Sequence, residues 1–273
     1  MGASRMRLTV PRFDWEIARR GYARWAAYPA ASFAGAFTNV VFGFLRTYVL
    51  LALFAQRDNV NGYSVAAAIT YVWLTQGMIM TTFIWGWNEL AQRIRTGDIA
   101  IDLVRPIHPL RLGLDFDLGR AVYHLAFRGL PPLVVGALFF PLVLPADPLT
   151  WLAFLVSLVL AVIVSFGFRL LYNIVAFWTM DNRGPAMIAS LVGTLLSGFL
   201  VPVAFFPGWL GAIAHGTPFP AMLQIPIDIY IGVASGSTLI IDLVIQLAWA
   251  LALLVAARAL FALGVRRLEV QGG

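Results

Sequence analysis

The chain has 273 residues, 60% of them hydrophobic and 12% charged, with a formal net charge of +6. A soluble domain carries about a quarter charged residues and under half apolar ones, so this composition excludes an ordinary water-exposed globule and requires a bilayer as solvent. All 19 Lys-or-Arg positions are arginine, and there is no cysteine. Without lysine there is no G-x-x-x-x-G-K-[ST] phosphate loop and no Schiff base on lysine. Without cysteine there are no disulfides, thiolate metal sites or cysteine nucleophiles. His108, His124 and His215 are scattered and make no metal cluster.

In chain order, the stretch 11–28 reads as a helix with Trp15, Ala18, Tyr22 and Trp25 on one face and Glu16, Arg20 and Arg24 on the other. That pattern suits a helix lying in the membrane interface. Apolar spans follow near 30–54, 65–87, 121–144, 149–178, 186–206 and 239–263, each reaching the ~20 residues a crossing needs. The expected fold is therefore all-α: a polytopic membrane protein with about six transmembrane helices, as judged by span length. It forms a single domain, with a tail and interfacial helix in 1–29, the bundle in 30–263 and a second tail in 264–273.

Arginine placement sets the expected orientation. Arg5, Arg7, Arg12, Arg19, Arg20 and Arg24 precede the first span. Arg93, Arg95, Arg105, Arg111, Arg120 and Arg128 follow the second, Arg183 lies in the next connection on that side, and Arg266 and Arg267 follow the last. The other side has Arg57 alone, and neither 145–150 nor 207–238 holds a basic residue. The positive-inside rule puts both termini in the cytoplasm of a multi-pass plasma-membrane protein. It also explains the basic charge without nucleic acid as a partner.

Charged residues inside or beside the spans need their own reading. Asp98 and Asp102 lie among Arg93, Arg95 and Arg105, so salt pairing is expected there. Asp115 and Asp117 form a D-x-D pair that could hold Mg²⁺ with a phosphate substrate, the basis of an alternative reading as a lipid-modifying enzyme. A further alternative, an ion-coupled secondary transporter, would need a buried acidic residue in mid-span. Arg46 and Arg169 fall inside spans but near enough to an interface to snorkel, so interfacial or inter-helix pairing is expected ahead of substrate contact. Asp242 could favour a helix N-terminus, and Asp228 falls at the external side. Ser190, Gly193, Thr194, Ser197 and Gly198 suit close helix packing.

Two connections are more than linkers. The cytoplasmic one, 89–128, is the most polar part of the chain and carries apolar Ile99, Ile101, Leu103 and Val104, which want a partner or a lipid surface. The external one, 207–237, is apolar yet broken by prolines and glycines. Bare in lipid its backbone would lack partners, so short helices dipping back toward the membrane are expected.

GDIAIDLVRPIHPL followed by DLGRA resembles the cytoplasmic segment of ABC transporter permeases of the type-2 export class. LSGFLVPVAFFPGWLGAIAHGTPFPAMLQIPIDIYIG resembles that family's fifth span and external re-entrant segment, and RRLEVQGG its ending. The departure is His215-Gly216-Thr217 before Pro218-Phe219, where the family more often has an apolar pair. The resemblance implies a coupling helix to a separate ATPase at Gly97, Asp98, Ile99, Ile101, Asp102, Leu103, Arg105 and Pro106. It implies a re-entrant segment marked by Pro202, Pro207, Trp209, Pro218, Phe219, Pro226, Tyr230 and Gly232. It implies as partners an ABC ATP-binding subunit, a second permease subunit and membrane lipid. ATP and Mg would be bound by the ATPase and no cofactor by this chain, a transport subunit rather than an enzyme. The substrate expected is hydrophobic or amphipathic.

Overall fold

A computed structural model describes residues 10–57, 59–83 and 86–268. Arg5, Arg7 and the part of the RRLEVQGG ending beyond residue 268 lie outside the described residues. Helix α1 (Val10–Ala26) stops where Tyr28 precedes a proline and takes a non-helical backbone, as residues before proline do. Pro29 then opens α2 (Pro29–Phe54), where its missing N–H costs nothing.

A tight hairpin follows, with β1 (Asn59–Val60) and β2 (Tyr63–Ser64) antiparallel. Its turn is Asn61-Gly62, both with positive φ, the chemistry such a turn requires. Ser64 caps α3 (Val65–Met78) by accepting from the Ala67 N–H at 3.2 Å. Helix α3 runs on into a π turn (Ile79–Phe83). Then come α4 (Glu89–Thr96), α5 (Ile99–Leu103) and α6 (Pro109–His124). A second π turn (Leu125–Gly129) leads into α7 (Leu130–Phe139). The rest is α8 (Pro148–Ile174), α9 (Ala176–Thr179), α10 (Arg183–Leu196), α11 (Gly208–His215), α12 (Gln224–Ile231) and α13 (Gly236–Val265).

Four helical stretches are long and apolar enough to cross a membrane: Pro29–Phe54, Pro109–Phe139, Pro148–Thr179 and Gly236–Val265. Three expected spans differ in detail. The one placed at 121–144 begins at Pro109, because Arg111, Asp117 and Arg120 find protein partners and need no water. The one placed at 65–87 is α3 with its π turn, buried almost all round rather than facing lipid. The one placed at 186–206 is helical only to Leu196 and breaks at Gly198, whose φ is +82°.

Two apolar cores hold these elements. One joins α3, the first half of α8 and α12 around Tyr71, Leu158 and Ile227. The other joins α4, α5, the end of α8 and the end of α13 around Ile94, Ile99, Leu170 and Phe261. Phe33, Phe37 and Leu45 of α2 and Ile240, Val244 and Val255 of α13 point outward. An apolar exterior of this kind is what lipid demands of a bundle.

Helix α1 is amphipathic as expected, and one of its faces packs on protein. Helix α1 crosses α6 so closely that a Cβ on Gly119 would lie 1.7 Å from the Ala18 carbonyl oxygen. Asp14 accepts from Arg111 at 2.7 Å and Arg24 pairs with Glu89 at 3.1 Å, tying α1 to α6 and α4. Ile17 and Gly21 are buried on this crossing, whereas Trp15 is 68% exposed. Trp15 therefore does not share the packed face.

Candidate functional site

At the arginine-rich end, α4 and α5 form a bracket fixed to the bundle. Leu90, Ala91 and Ile94 bury one face of α4. Asn173 of α8 accepts from the Ala91 N–H at 3.0 Å and donates to the Trp87 carbonyl at 2.8 Å. Gly97, at φ +82°, ends α4 in a left-handed cap, a conformation that favours glycine. The Thr96 hydroxyl donates to the Asp98 carboxylate at 2.8 Å.

Helix α5 then divides its side chains. Ile99 is fully buried and Leu103 half-buried, so neither is free for a partner, contrary to the reading that all four apolar residues are exposed. Ile101 and Val104 stay out, at 57% and 83% exposure. Asp102 is buried and is held by Arg93 at 2.5 Å and Arg105 at 3.2 Å. Arg105 and Pro106 are exposed beyond it. Arg95 does not join this pairing; it lines a groove with Asp181 and Arg183. The Arg183 side chain and backbone N–H hold the Asp181 carboxyl down at about 2. His108 caps α6, its Nδ1 accepting from Leu110. Burial, then the charge of Arg258, lower its pKa, which favours the neutral imidazole that can accept.

Beneath the bracket sits a charge cluster that the sequence reading did not assemble. Asp117 of α6 accepts from Arg120 at 2.7 Å and from Arg169 of α8 at 2.6 Å. All three are buried, Arg169 completely. Arg169 therefore pairs between helices and does not snorkel. Arg120 also donates to the carbonyls of Met80 and Thr81, in the π turn after α3. Such turns release carbonyls from the helical ladder, and an arginine fork can take two at once. The Phe83 ring lies 4.7 Å from the Arg120 guanidinium and 5.1 Å from that of Arg169.

The same geometry corrects the D-x-D reading. Two residues apart on a helix, Asp115 and Asp117 face different neighbours. Asp117 has both oxygens taken by arginines, while Asp115 lies beside Asp14 and Arg111. They do not converge on one ion.

At the opposite end the broken segment packs into the protein. Pro202, Phe219 and Pro226 are buried, and Tyr230 packs on Trp151 and Phe154. Pro207, beside the exposed Trp209, caps α11, Pro218 is half-buried, and Gly232 closes α12 at φ +79°.

Gln224 is the hub. Its amide nitrogen donates to Tyr63 at 2.7 Å and to Asp228 at 2.8 Å, and Tyr63 also donates to Asp228. Its carbonyl accepts from Val203 N–H at 2.8 Å and from Tyr71 at 2.7 Å. Arg46 reaches the carbonyls of Phe199 and Leu200, which the break after α10 leaves open. This, rather than snorkelling, accounts for its charge within α2. Beside the hub lies a cavity of about 240 Å³ lined by His215, Thr217, Asp228, Asp242 and Trp249. Gln224→Leu is expected to lower the thermal unfolding midpoint, because it strands the Val203 N–H, at about 1–3 kcal/mol for an unsatisfied buried group, while the Tyr71 hydroxyl keeps the Gly198 carbonyl as acceptor. An unchanged midpoint would remove the hub from the stability argument.

The bracket, the buried pairs and the packed external segment belong to one continuous stretch of chain. The family model described as ABC-2 family transporter protein matches residues 39–272. The chain belongs to that family. This ABC-2 protein is accordingly a membrane permease component of an ABC transporter, and an ABC ATP-binding partner follows for the family in general. A search of the curated proteins finds no match for it. Of its site residues, the pairing at Asp102 was legible in the sequence. The cluster at Asp117 was not, since Arg169 is far away in sequence and only the i,i+3 spacing of Asp117 and Arg120 hinted at it.

Proposed function

We propose that this chain is the membrane-spanning half of an ATP-driven exporter of a hydrophobic or amphipathic substrate in the plasma membrane. Both termini are cytoplasmic, two permease chains pair, and a separate ATP-binding subunit that binds ATP and Mg docks beneath each. The observation that carries this reading is α5. It offers Ile101 and Val104 to water at the arginine-rich end while Ile99 and Asp102 fasten the same turn to the bundle. An apolar pair on a rigid base transmits a push; on a loose loop it would not.

Force applied at α5 passes through Ile99 to α4, through Asn173 to α8, and through Glu89–Arg24 to α1. Arg169 and Asp117 then link α8 to α6. The arginine gradient supports the orientation, and the apolar outer faces support a lipid-exposed bundle.

The test is copurification with the cognate ATP-binding subunit. Ile101→Asp with Val104→Asp is expected to weaken association on the order of 100-fold, since burying two such side chains contributes roughly 3–6 kcal/mol before losses. The unfolding midpoint of the isolated permease should stay within about 2 °C, because both side chains are mostly exposed in it. Undiminished copurification would sink α5 as the docking helix.

A further inference from the structure

The face of α6 that turns toward the start of α2 carries two polar groups with no partner among the described residues. Arg128, in the π turn after α6, makes no hydrogen bond or ion pair among the described residues, and its Nε is buried. His124, four residues earlier, is 1% exposed, and both its ring nitrogens lack a partner. Asp115, the one other carboxylate of α6, lies beside Asp14 and Arg111, more than three helical turns before Arg128. The remaining carboxylates on the surrounding elements are committed elsewhere. Asp14 holds Arg111, Glu16 holds Arg19, Glu89 holds Arg24, and Asp117 holds Arg120 and Arg169. A half-buried, unpaired cation beside a buried, unpaired imidazole is costly.

Space has been made for the guanidinium. It lies against α2 at Gly35, 2.3 Å from where a Cβ on that residue would stand, so any other residue there would displace it. Aromatic side chains gather on the neighbouring turns of α6. Trp25 lies 4.6 Å from the His124 ring, and Tyr123 stacks on Phe127 at 4.9 Å. Ser32 and Tyr123 share a hydrogen bond at 2.9 Å, tying the start of α2 to α6. Phe127, beside Arg128 in sequence, and Tyr28, just before α2, are exposed.

Depth supplies the ligand. A helix of 26 residues such as α2 spans about 39 Å, close to a bilayer with its headgroups. Gly35 lies six residues into it, about 9 Å from its start. With about 30 Å of such a helix in hydrocarbon and roughly 5 Å beyond it at each end, Gly35 lies just inside the hydrocarbon edge, roughly 5 Å below the glycerol and phosphate groups. Arginine pairs with phosphate by a planar fork, and basic notches between membrane helices hold lipid headgroups.

We propose that Arg128 and His124 form a seat for the phosphodiester of a phospholipid from the leaflet on which α1 lies. Its acyl chains would run along the exposed face of α2. The anion supplies the acceptor that both side chains lack, and the lipid becomes a structural wedge among α1, α2 and α6. The same chemistry would accept free phosphate, and the experiment separates the two sources. It requires neither an ATPase nor a transported substrate, so it stands or falls apart from the proposed transport function.

The whole chain, purified and delipidated in neutral detergent, is titrated with phosphatidylglycerol, phosphatidylcholine, diacylglycerol or inorganic phosphate. The readouts are the unfolding midpoint and lipid retention by native mass spectrometry. Both phospholipids are expected to raise the midpoint by several degrees and to remain bound at one per chain above background, whereas diacylglycerol and inorganic phosphate do neither. Arg128→Gln should abolish the shift, while Arg128→Lys and the distant Arg57→Gln keep it. His124→Leu removes the unpaired ring nitrogens, so it should fold at least as well as the parent without lipid, yet show a smaller lipid shift. An equal shift with diacylglycerol, or a full shift in both Arg128→Gln and His124→Leu, overturns the site. A full shift with inorganic phosphate alone overturns the lipid as its occupant.

Discussion

Asp117→Asn is expected to destabilise the permease by about 3–5 kcal/mol, the cost of leaving a buried charge without its partner. The carboxylate is flanked by two arginines, at 2.7 Å and 2.6 Å, and all three groups are out of contact with solvent and lipid. Neutralising it leaves two guanidiniums facing each other over the Phe83 ring. Arg169→Met acts in the opposite sense on the charge balance. It leaves a one-to-one pair of Asp117 and Arg120, and should cost clearly less. The double substitution should recover part of the loss, because the surplus cation is gone.

Unfolding midpoints in one detergent, with the two single variants and the double, decide the matter. If Arg169→Met proves as damaging as Asp117→Asn, the charge balance is not what stabilises the cluster. The packing of the arginine stem would then be the larger contribution. The cluster also joins α6, α8 and the π turn after α3, so the same variants should reduce transport even where they fold.

The crossing of α1 on α6 gives the second large effect. Gly119→Ala would place a methyl group 1.7 Å from the Ala18 carbonyl oxygen, and Gly21→Ala another at 2.1 Å from that of Phe116. Helix propensity alone favours alanine over glycine by about 1 kcal/mol. The clash is with backbone, which cannot rotate aside, so α1 must lift from α6. Overpacking of this kind costs typically 1–3 kcal/mol, occasionally more, and outweighs the propensity gain. Either substitution is expected to speed tryptic cleavage after Arg19, Arg20 and Arg24 several-fold and to lower the unfolding midpoint. Cleavage at the parental rate would mean that α1 is held by its ion pairs to Arg111 and Glu89 instead.

Most of the architecture follows from patterns along the chain. Apolar runs long enough for a bilayer announce the helices of α2, α8 and α13, because lipid allows little else there. The one-sided arginines carry the orientation expectation. The prolines and glycines after residue 206 announce a segment that cannot be a plain span, and it folds as α11 and α12. Gly97 marks the end of α4, since a left-handed cap needs it.

What escaped the sequence has a common cause. Hydropathy reads a charge as a mark of water, so Arg111, Asp117 and Arg120 pushed the expected start of the third span twelve residues past Pro109. Those charges are satisfied by Asp14, Arg169 and carbonyls of the π turn, which lie far off in sequence.

Absence of lysine and cysteine, the apolar spans and the arginine bias were properties of the chain by itself. They determined a membrane bundle without nucleotide chemistry on a lysine. Only the tertiary structure decided which charges are paired. It buried Ile99 and left Ile101 and Val104 out, brought Arg169 to Asp117, gave Arg46 the open carbonyls after α10, and left Arg128 and His124 with no acceptor. The reason is that apolar burial depends on local period and length, whereas satisfying a buried charge depends on which distant backbone or side chain the fold delivers to it.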